Sequence, residues 1–275
     1  MISPELPSAS TPDAAGVPFA VPGAEWHVEG DFGISLTLAI GRARQTFRWI
    51  RPGSFLMGSP ADEPQRGSAE LLHEVALSRG FWIADTACTQ ALWMAVWPVN
   101  PSHFQDDPGN PVENVAWHDA QRFIGELNRR LSGVNARLPS EAEWEYACRA
   151  GTTTPFSFGS TVTTDEVNYH GGFPYAGGAS GPYRQRPLPV RTLPANAWGL
   201  YEMHGNVWEW CEDWYADYPQ EPQIDPRGPA FGKMRVLRGG TWSDPARYSR
   251  AATRSRIEPA YRPRSTGFRL VLGAR

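Results

Sequence analysis

The pattern of apolar and polar positions marks only a few segments of this chain as regular structure. Trp117, Ala120, Phe123, Ile124, Leu127 and Leu131 recur at helical spacing and predict an amphipathic helix over 118–131. Leu92 and Val96, with Trp93 and Trp97, give a shorter stripe and predict a helix over 89–97. In Leu138-Pro139-Ser140-Glu141-Ala142-Glu143, Ser140 can cap a third helix while Glu143 returns the bond; that helix runs to Arg149 and stops at Gly151. Alternation over 47–58 (FRWIRPGSFLMG) predicts a hairpin about a Pro-Gly turn, and 74–84 predicts two further strands. Two more are expected at 235–238 and 267–271. Between 151 and 197 Gly and Pro abound, with strand-like pieces only near 188–192; an ordered loop of that length needs an organiser.

The 275 residues fit one large domain. No internal repeat and no boundary after residue 45 is visible, so a single domain over 23–275 is expected. A disordered leader, Met1–Pro22, rich in Ser, Pro, Ala and Gly, precedes it. With 27 Gly and 26 Pro a long coiled coil is excluded, and 12 Trp suit an irregular backbone pinned by aromatic anchors. No apolar run is long enough for a membrane span, and no secretory signal is evident, which makes the cytoplasm the default address. Cys88, Cys148 and Cys211 lack CxxC spacing and argue against a disulfide framework or zinc knuckle.

Net charge is −3, which does not suggest a nucleic-acid partner. It is unevenly spread: residues 227–275 hold 11 Arg and 1 Lys against Asp244 and Glu258. The favoured expectation is a basic tail packed on an acidic body through two-pronged arginine bonds; a surface for an anionic ligand is the alternative.

Catalytic signatures such as GxSxG, HExxH or a P-loop are missing, and the six histidines include no i, i+4 pair. The segment 198–214 (WGLYEMHGNVWEWCEDW) crowds carboxylates among tryptophans, which is costly unless the acids are paired or hold a cation. Either calcium on Glu202, Glu209 and carbonyls near the Gly205-Asn206 turn, or arginines of the tail, would meet that need.

The motifs FRWIRPGSFLMGS, TQALWMAVW, RLPSEAEWEYACRAGT, NAWGLYEMHGNVWEW, RVLRGGTW and GFRL, in this order over about 46–272, resemble the formylglycine-generating-enzyme (sulfatase-modifying factor) superfamily. The resemblance implies an α+β, C-type-lectin-like fold with little regular secondary structure. It implies structural calcium on the Glu202 and Glu209 side chains and the Gly205 and Val207 carbonyls. A second calcium would use Asn168 and the Tyr169 carbonyl, although the family's downstream Asp has no counterpart near Pro182 or Tyr183. The family's oxidases bind copper(I) through two cysteines beyond a Gly-Gly-Ser-aromatic motif, here Gly239-Gly240-Thr241-Trp242. Asp244 and Ser249 stand at the matching positions and are poor ligands for a soft ion, so copper is not expected. Cys148 and Cys211 read as buried, inert thiols. The iron-dependent branch needs histidines from an extra helical domain that the leader is too short to supply.

Between the last two strands, Ser243, Asp244, Pro245, Tyr248, Ser249, Thr253, Ser255, Ile257, Ala260, Tyr261, Pro263, Arg264, Ser265 and Thr266 show no helical or strand period. This stretch resembles the variable region of diversity-generating retroelement proteins, many of which use the same fold. Those proteins vary the first two bases of asparagine codons. Each residue named can be encoded by a codon ending in C or T, whereas Lys, Gln, Glu, Met and Trp cannot, and none stands at those places. The expectation is a calcium-stiffened binding protein that displays 241–266 to an unknown protein or small-molecule ligand, with Tyr248 and Tyr261 as aromatic anchors. The alternatives are a divergent oxidoreductase with iron on some of His118, His170, His204, Glu209 and Asp244, and a regulatory module tethered by its leader.

Overall fold

The structure, a computed structural model, describes residues 18–29 and 32–273. In chain order the elements are β1 (Glu25–Glu29), β2 (Gly33–Ile40), β3 (Ala43–Ile50), β4 (Gly53–Met57), β5 (His73–Leu77) and β6 (Phe81–Ala84). There follow α1 (Gln90–Val96), α2 (Trp117–Arg130), β7 (Ala136–Arg137), α3 (Glu141–Arg149) and β8 (Trp208–Trp214). The last are β9 (Gln223–Ile224), β10 (Arg235–Arg238), β11 (Ser255–Ile257), β12 (Thr266–Gly267) and β13 (Val271–Leu272). They form three sheets, ordered β1-β2-β3-β6-β13-β7, β11-β10-β8-β12 and β4-β5-β9.

Each helix starts and packs for local reasons. Thr89 caps α1 by accepting from Leu92 N at 3.1 Å. For α3, Ser140 Oγ accepts from Glu143 N at 3.1 Å and Glu143 returns to Ser140 N at 2.8 Å, while Ala150 closes the far end with φ +47°. The apolar face of α2 carries Ala120, Phe123, Ile124 and Leu127 into the main core, where Phe123 stacks on Trp93 at 5.1 Å. Each such large side chain contributes about 1.5–3 kcal/mol on burial.

Four expectations are corrected. The 47–58 segment is no hairpin: β3 pairs with β2 and β6, whereas β4 pairs with β5 in another sheet. The Pro-Gly turn therefore carries the chain between sheets. Segment 188–192 forms no strand, and 267–271 divides into the ends of two short ones, β12 and β13. The packed chain also begins before residue 23, because Val21 is buried and the Phe19 carbonyl accepts from Trp82 Nε1 at 3.1 Å. The leader expected over Met1–Pro22 otherwise lies mostly outside the described residues.

The long loop has an organiser of its own. Phe156, Val162, Val167, Tyr169 and Tyr175 bury together as a small separate core, and Tyr175 O–H donates to the Pro64 carbonyl at 2.6 Å. Asn196 then ties the loop's end to the carbonyls of Ala147 and Cys148 at the close of α3.

The basic tail packs on the acidic body. Arg254 grips both oxygens of Glu141 at 2.7 and 2.8 Å, and Arg250 meets Glu70 at 2.8 Å as well as Glu63. Arg238 reaches Glu141 and Glu145, and Arg269 holds Glu209. All four guanidinium groups are nearly or wholly buried, so each needs its carboxylate; stranding either partner would leave an uncompensated interior charge.

Candidate functional site

The residues expected to be displayed divide by burial. Tyr248, Ala260, Tyr261 and Arg264 are exposed, Tyr261 at 60 %. Ser243, Asp244, Pro245, Ser255, Ile257, Pro263 and Ser265 are half-buried, with Ser255 and Ile257 paired to β10 within β11. Ser249, Thr253 and Thr266 are interior and cannot offer a contact surface. Thr253 Oγ1 donates to the Arg247 carbonyl at 2.9 Å, the Ser249 carbonyl accepts from His204 Nδ1 at 2.6 Å, and Thr266 sits opposite Trp208 in the β12–β8 ladder.

Asp244 is the centre of the half-buried group. Its Oδ2 accepts from Trp208 Nε1 at 2.9 Å, and its carbonyl accepts from His170 N at 2.9 Å. The backbone N of Trp208 donates in turn to the Ser265 carbonyl at 2.8 Å, which fixes Asp244 and Ser265 about one tryptophan. Burial pushes the Asp244 carboxyl up to about 6, against the pull of the Trp208 bond.

Around Asp244 runs an aromatic floor that the spacing of residues did not disclose. His170 stacks on Tyr183 at 3.7 Å, Tyr183 lies nearly parallel to Trp242 at 6.1 Å, and Phe104 meets Trp242 edge-on at 5.7 Å. Trp242 was visible in the Gly-Gly-Thr-Trp motif; nothing in the sequence linked it to Phe104 or Tyr183. Beneath Phe104, Glu113 Oε1 accepts from the Phe104 and His103 amides, while its buried Oε2 has no partner among the described residues. Ala260 and Arg262 form a separate, shallow depression with His118, Gln121 and Arg122 beside α2, so the stretch presents two patches.

The residues considered for iron do not converge. His204 is buried, with Nδ1 on the Ser249 carbonyl and Nε2 accepting from Ser157 N at 3.0 Å; burial lowers its pKa to about 4, leaving a neutral ring. His118 lines the depression beside α2, and Glu209 belongs to Arg269. Among the described residues no three His, Cys, Asp or Glu side chains gather as a metal site. Cys148 Sγ lies 3.6 Å from His204 Nε2, but burial raises its thiol far above the ordinary value, as it does those of Cys88 and Cys211.

The two calcium sets fare differently. Glu209 gives both oxygens to Arg269, at 2.7 and 2.8 Å, and accepts from Trp144 Nε1 at 2.7 Å. That fills about three of its four lone-pair directions and sets a positive charge against it, so a divalent ion does not fit there. Glu202 accepts from the Arg191 and Leu193 amides, and burial pushes it up to about 7. Asn168 does suit a hard cation. Its Oδ1 is fully buried and unpartnered, while its Nδ2 donates to Arg186 O and Asn206 Oδ1. Its backbone bridges Gly205, which brings Asn168 and Tyr169 close to the Gly205–Val207 turn.

A family model for the sulfatase-modifying factor enzyme 1-like domain matches residues 41–274. The chain belongs to this family. A formylglycine-generating enzyme of Streptomyces coelicolor is 33 % identical over 229 residues, spanning 77 % of this chain and 70 % of that protein. Among solved structures, Treponema denticola variable protein 1 superposes with a TM-score of 0.76 at 30 % identity, covering 86 % of this chain and 98 % of the other. PvdO from Pseudomonas aeruginosa gives 0.73 at 26 % identity, with the same coverages. The mixed sheets and few helices are thus those of the formylglycine-generating-enzyme, C-type-lectin-like fold. No helix among the described residues is long and apolar enough to cross a membrane.

Proposed function

We propose that this chain is a non-catalytic, ligand-binding member of its family, which displays the surface around Asp244, Ser265, Tyr261 and Arg264 to a protein or small-molecule ligand. The observation that carries this reading is Asp244 itself. It stands where a family oxidase would place a thiolate, and it is held by Trp208 beside the Phe104–Trp242–Tyr183 floor. Fixed aromatic surface next to a polar anchor is what recognition uses. The likeness to a Treponema variable protein supports the further reading that the displayed positions are diversified. A hard cation such as calcium, held at Asn168 Oδ1 with the Tyr169 carbonyl, would stiffen the loop behind this surface. The compartment we favour is the cytoplasm.

The test is chemical. Purified protein, supplied with copper(I) and a cysteine-containing peptide, leaves the peptide thiol unoxidised; turnover would overturn the proposal. That outcome would favour the second reading, a divergent metal-dependent oxidoreductase, which rests on the relatives named formylglycine-generating enzyme. Diversification has its own check in the neighbouring DNA. A reverse-transcriptase gene beside a near-copy of the last coding segment, differing at adenines, is the expected arrangement.

A further inference from the structure

A cavity of about 320 Å³ lies between the start of α3, the end of β8 and the loop over 216–229. That volume is at the small end of ligand pockets. Its wall is largely apolar, with Met57, Ala142, Trp214, Pro219, Pro226 and Pro229 prominent, and none of the fourteen displayed positions lines it. Two interior acids reach it, and their situations are opposite. Glu141 is fully engaged by Arg254 at 2.7 and 2.8 Å, by Arg238 at 3.2 Å and by the Tyr218 hydroxyl at 2.9 Å. The Arg254 charge at the wall is therefore already matched.

Asp213 has no such match. It is 5 % exposed, and its Oδ2 accepts from Glu141 N at 2.9 Å, helping to cap α3. Among the described residues no arginine, lysine or histidine makes a hydrogen bond or ion pair with it, Arg137 acting on it only at longer range, and Oδ1 receives no hydrogen bond from them. Gly228 borders Oδ1 so closely that a Cβ there would stand 3.5 Å away, and Arg227 at the rim is exposed. A carboxylate in a buried recess without a directly paired counter-charge is costly. Burial, with Glu141 nearby, pushes Asp213 up to about 8.

We propose that this cavity is a second ligand site, which binds a small organic cation, a primary ammonium on an apolar body, with Asp213 as its counter-ion. The ammonium supplies the donors that Oδ1 lacks, and the proline and tryptophan wall covers the body. The site is independent of the displayed surface, so the two proposals stand or fall separately.

The experiment is calorimetric titration of the full chain at about pH 9, where Asp213 is ionised and a primary amine still carries its proton, with phenethylamine and, in parallel, with the isosteric 2-phenylethanol. The expected result is one-to-one amine binding at least tenfold tighter than the alcohol, with Asp213→Asn abolishing the difference. Asparagine keeps an oxygen for Glu141 N while removing the charge. Equal binding of the two probes, no binding at millimolar concentration, or amine binding untouched by Asp213→Asn would overturn the proposal. The amine–alcohol comparison uses the unaltered chain and decides the matter even if the variant does not fold.

Discussion

Arg269 and Glu209 face each other through two hydrogen bonds, 2.7 and 2.8 Å long, with both side chains essentially inaccessible to water. The pair joins the last segment of the chain to the tryptophan-rich β8. Replacing Glu209 by Gln leaves a buried guanidinium without its directly paired carboxylate, only Glu202 and Asp85 acting on it at longer range. The expected loss is about 3–5 kcal/mol of unfolding free energy, measured by urea denaturation. A calcium role for Glu209 would instead predict that Glu209→Gln is mild in chelator.

Asn168 gives the complementary prediction. If its buried Oδ1 takes a hard cation, calcium raises the melting temperature and a strong chelator lowers it. A ligand at a hundredfold its dissociation constant adds about 2.7 kcal/mol. Asn168→Ala abolishes the calcium response in differential scanning calorimetry. A response that survives this substitution places any cation elsewhere.

How much of this was legible in the sequence depended on range. Ser140 and Glu143 are three residues apart, so their reciprocal cap could be read directly. The excess of arginine after residue 227 likewise foretold a tail bound to an acidic body, though not which acid each arginine takes. Alternation revealed β3 and β4 but paired them with each other, because period two specifies a face and not a neighbour. The aromatic floor joins Phe104, Tyr183 and Trp242 across long stretches of chain, and no local pattern reports such contacts. Ser249, Thr253 and Thr266 misled for a related reason: small polar residues suit a loop tip and a hydrogen-bonded interior equally well.

The same burial pattern separates tolerant from intolerant positions. Tyr261→Ala, at an exposed site, is expected to change stability by no more than about 0.5 kcal/mol while weakening ligand capture. Thr266→Arg forces an unpaired charge into the β12–β8 ladder and costs on the order of 3 kcal/mol or more. Thermal melts of the two variants side by side check the contrast.

Asp213 makes stability depend on pH. Its folded-state pKa of about 8 lies above the ordinary 3.8, through burial and the neighbouring Glu141, Glu143 and Glu212. The folded protein therefore holds this proton more tightly than the unfolded chain. The group's contribution is fully present below about pH 4 and is lost as pH rises through about 8. Asp244, raised to about 6, acts in the same direction over a lower window. Urea midpoints compared at pH 6 and pH 9 should fall for the native chain and change less for Asp213→Asn.

Arg238, Arg250, Arg254 and Arg269 act along the final segment like rivets at intervals through a flexible strip. The backbone between them is located by these ion pairs together with a few buried side chains, Ala246, Ala251, Ala252 and Phe268 among them. An outward-facing residue there can be exchanged without disturbing the path of its neighbours, so chemical novelty at Tyr248, Tyr261 or Arg264 comes at little cost to the rest of the molecule. Such a surface can change its chemistry quickly over generations while the architecture beneath it stays the same.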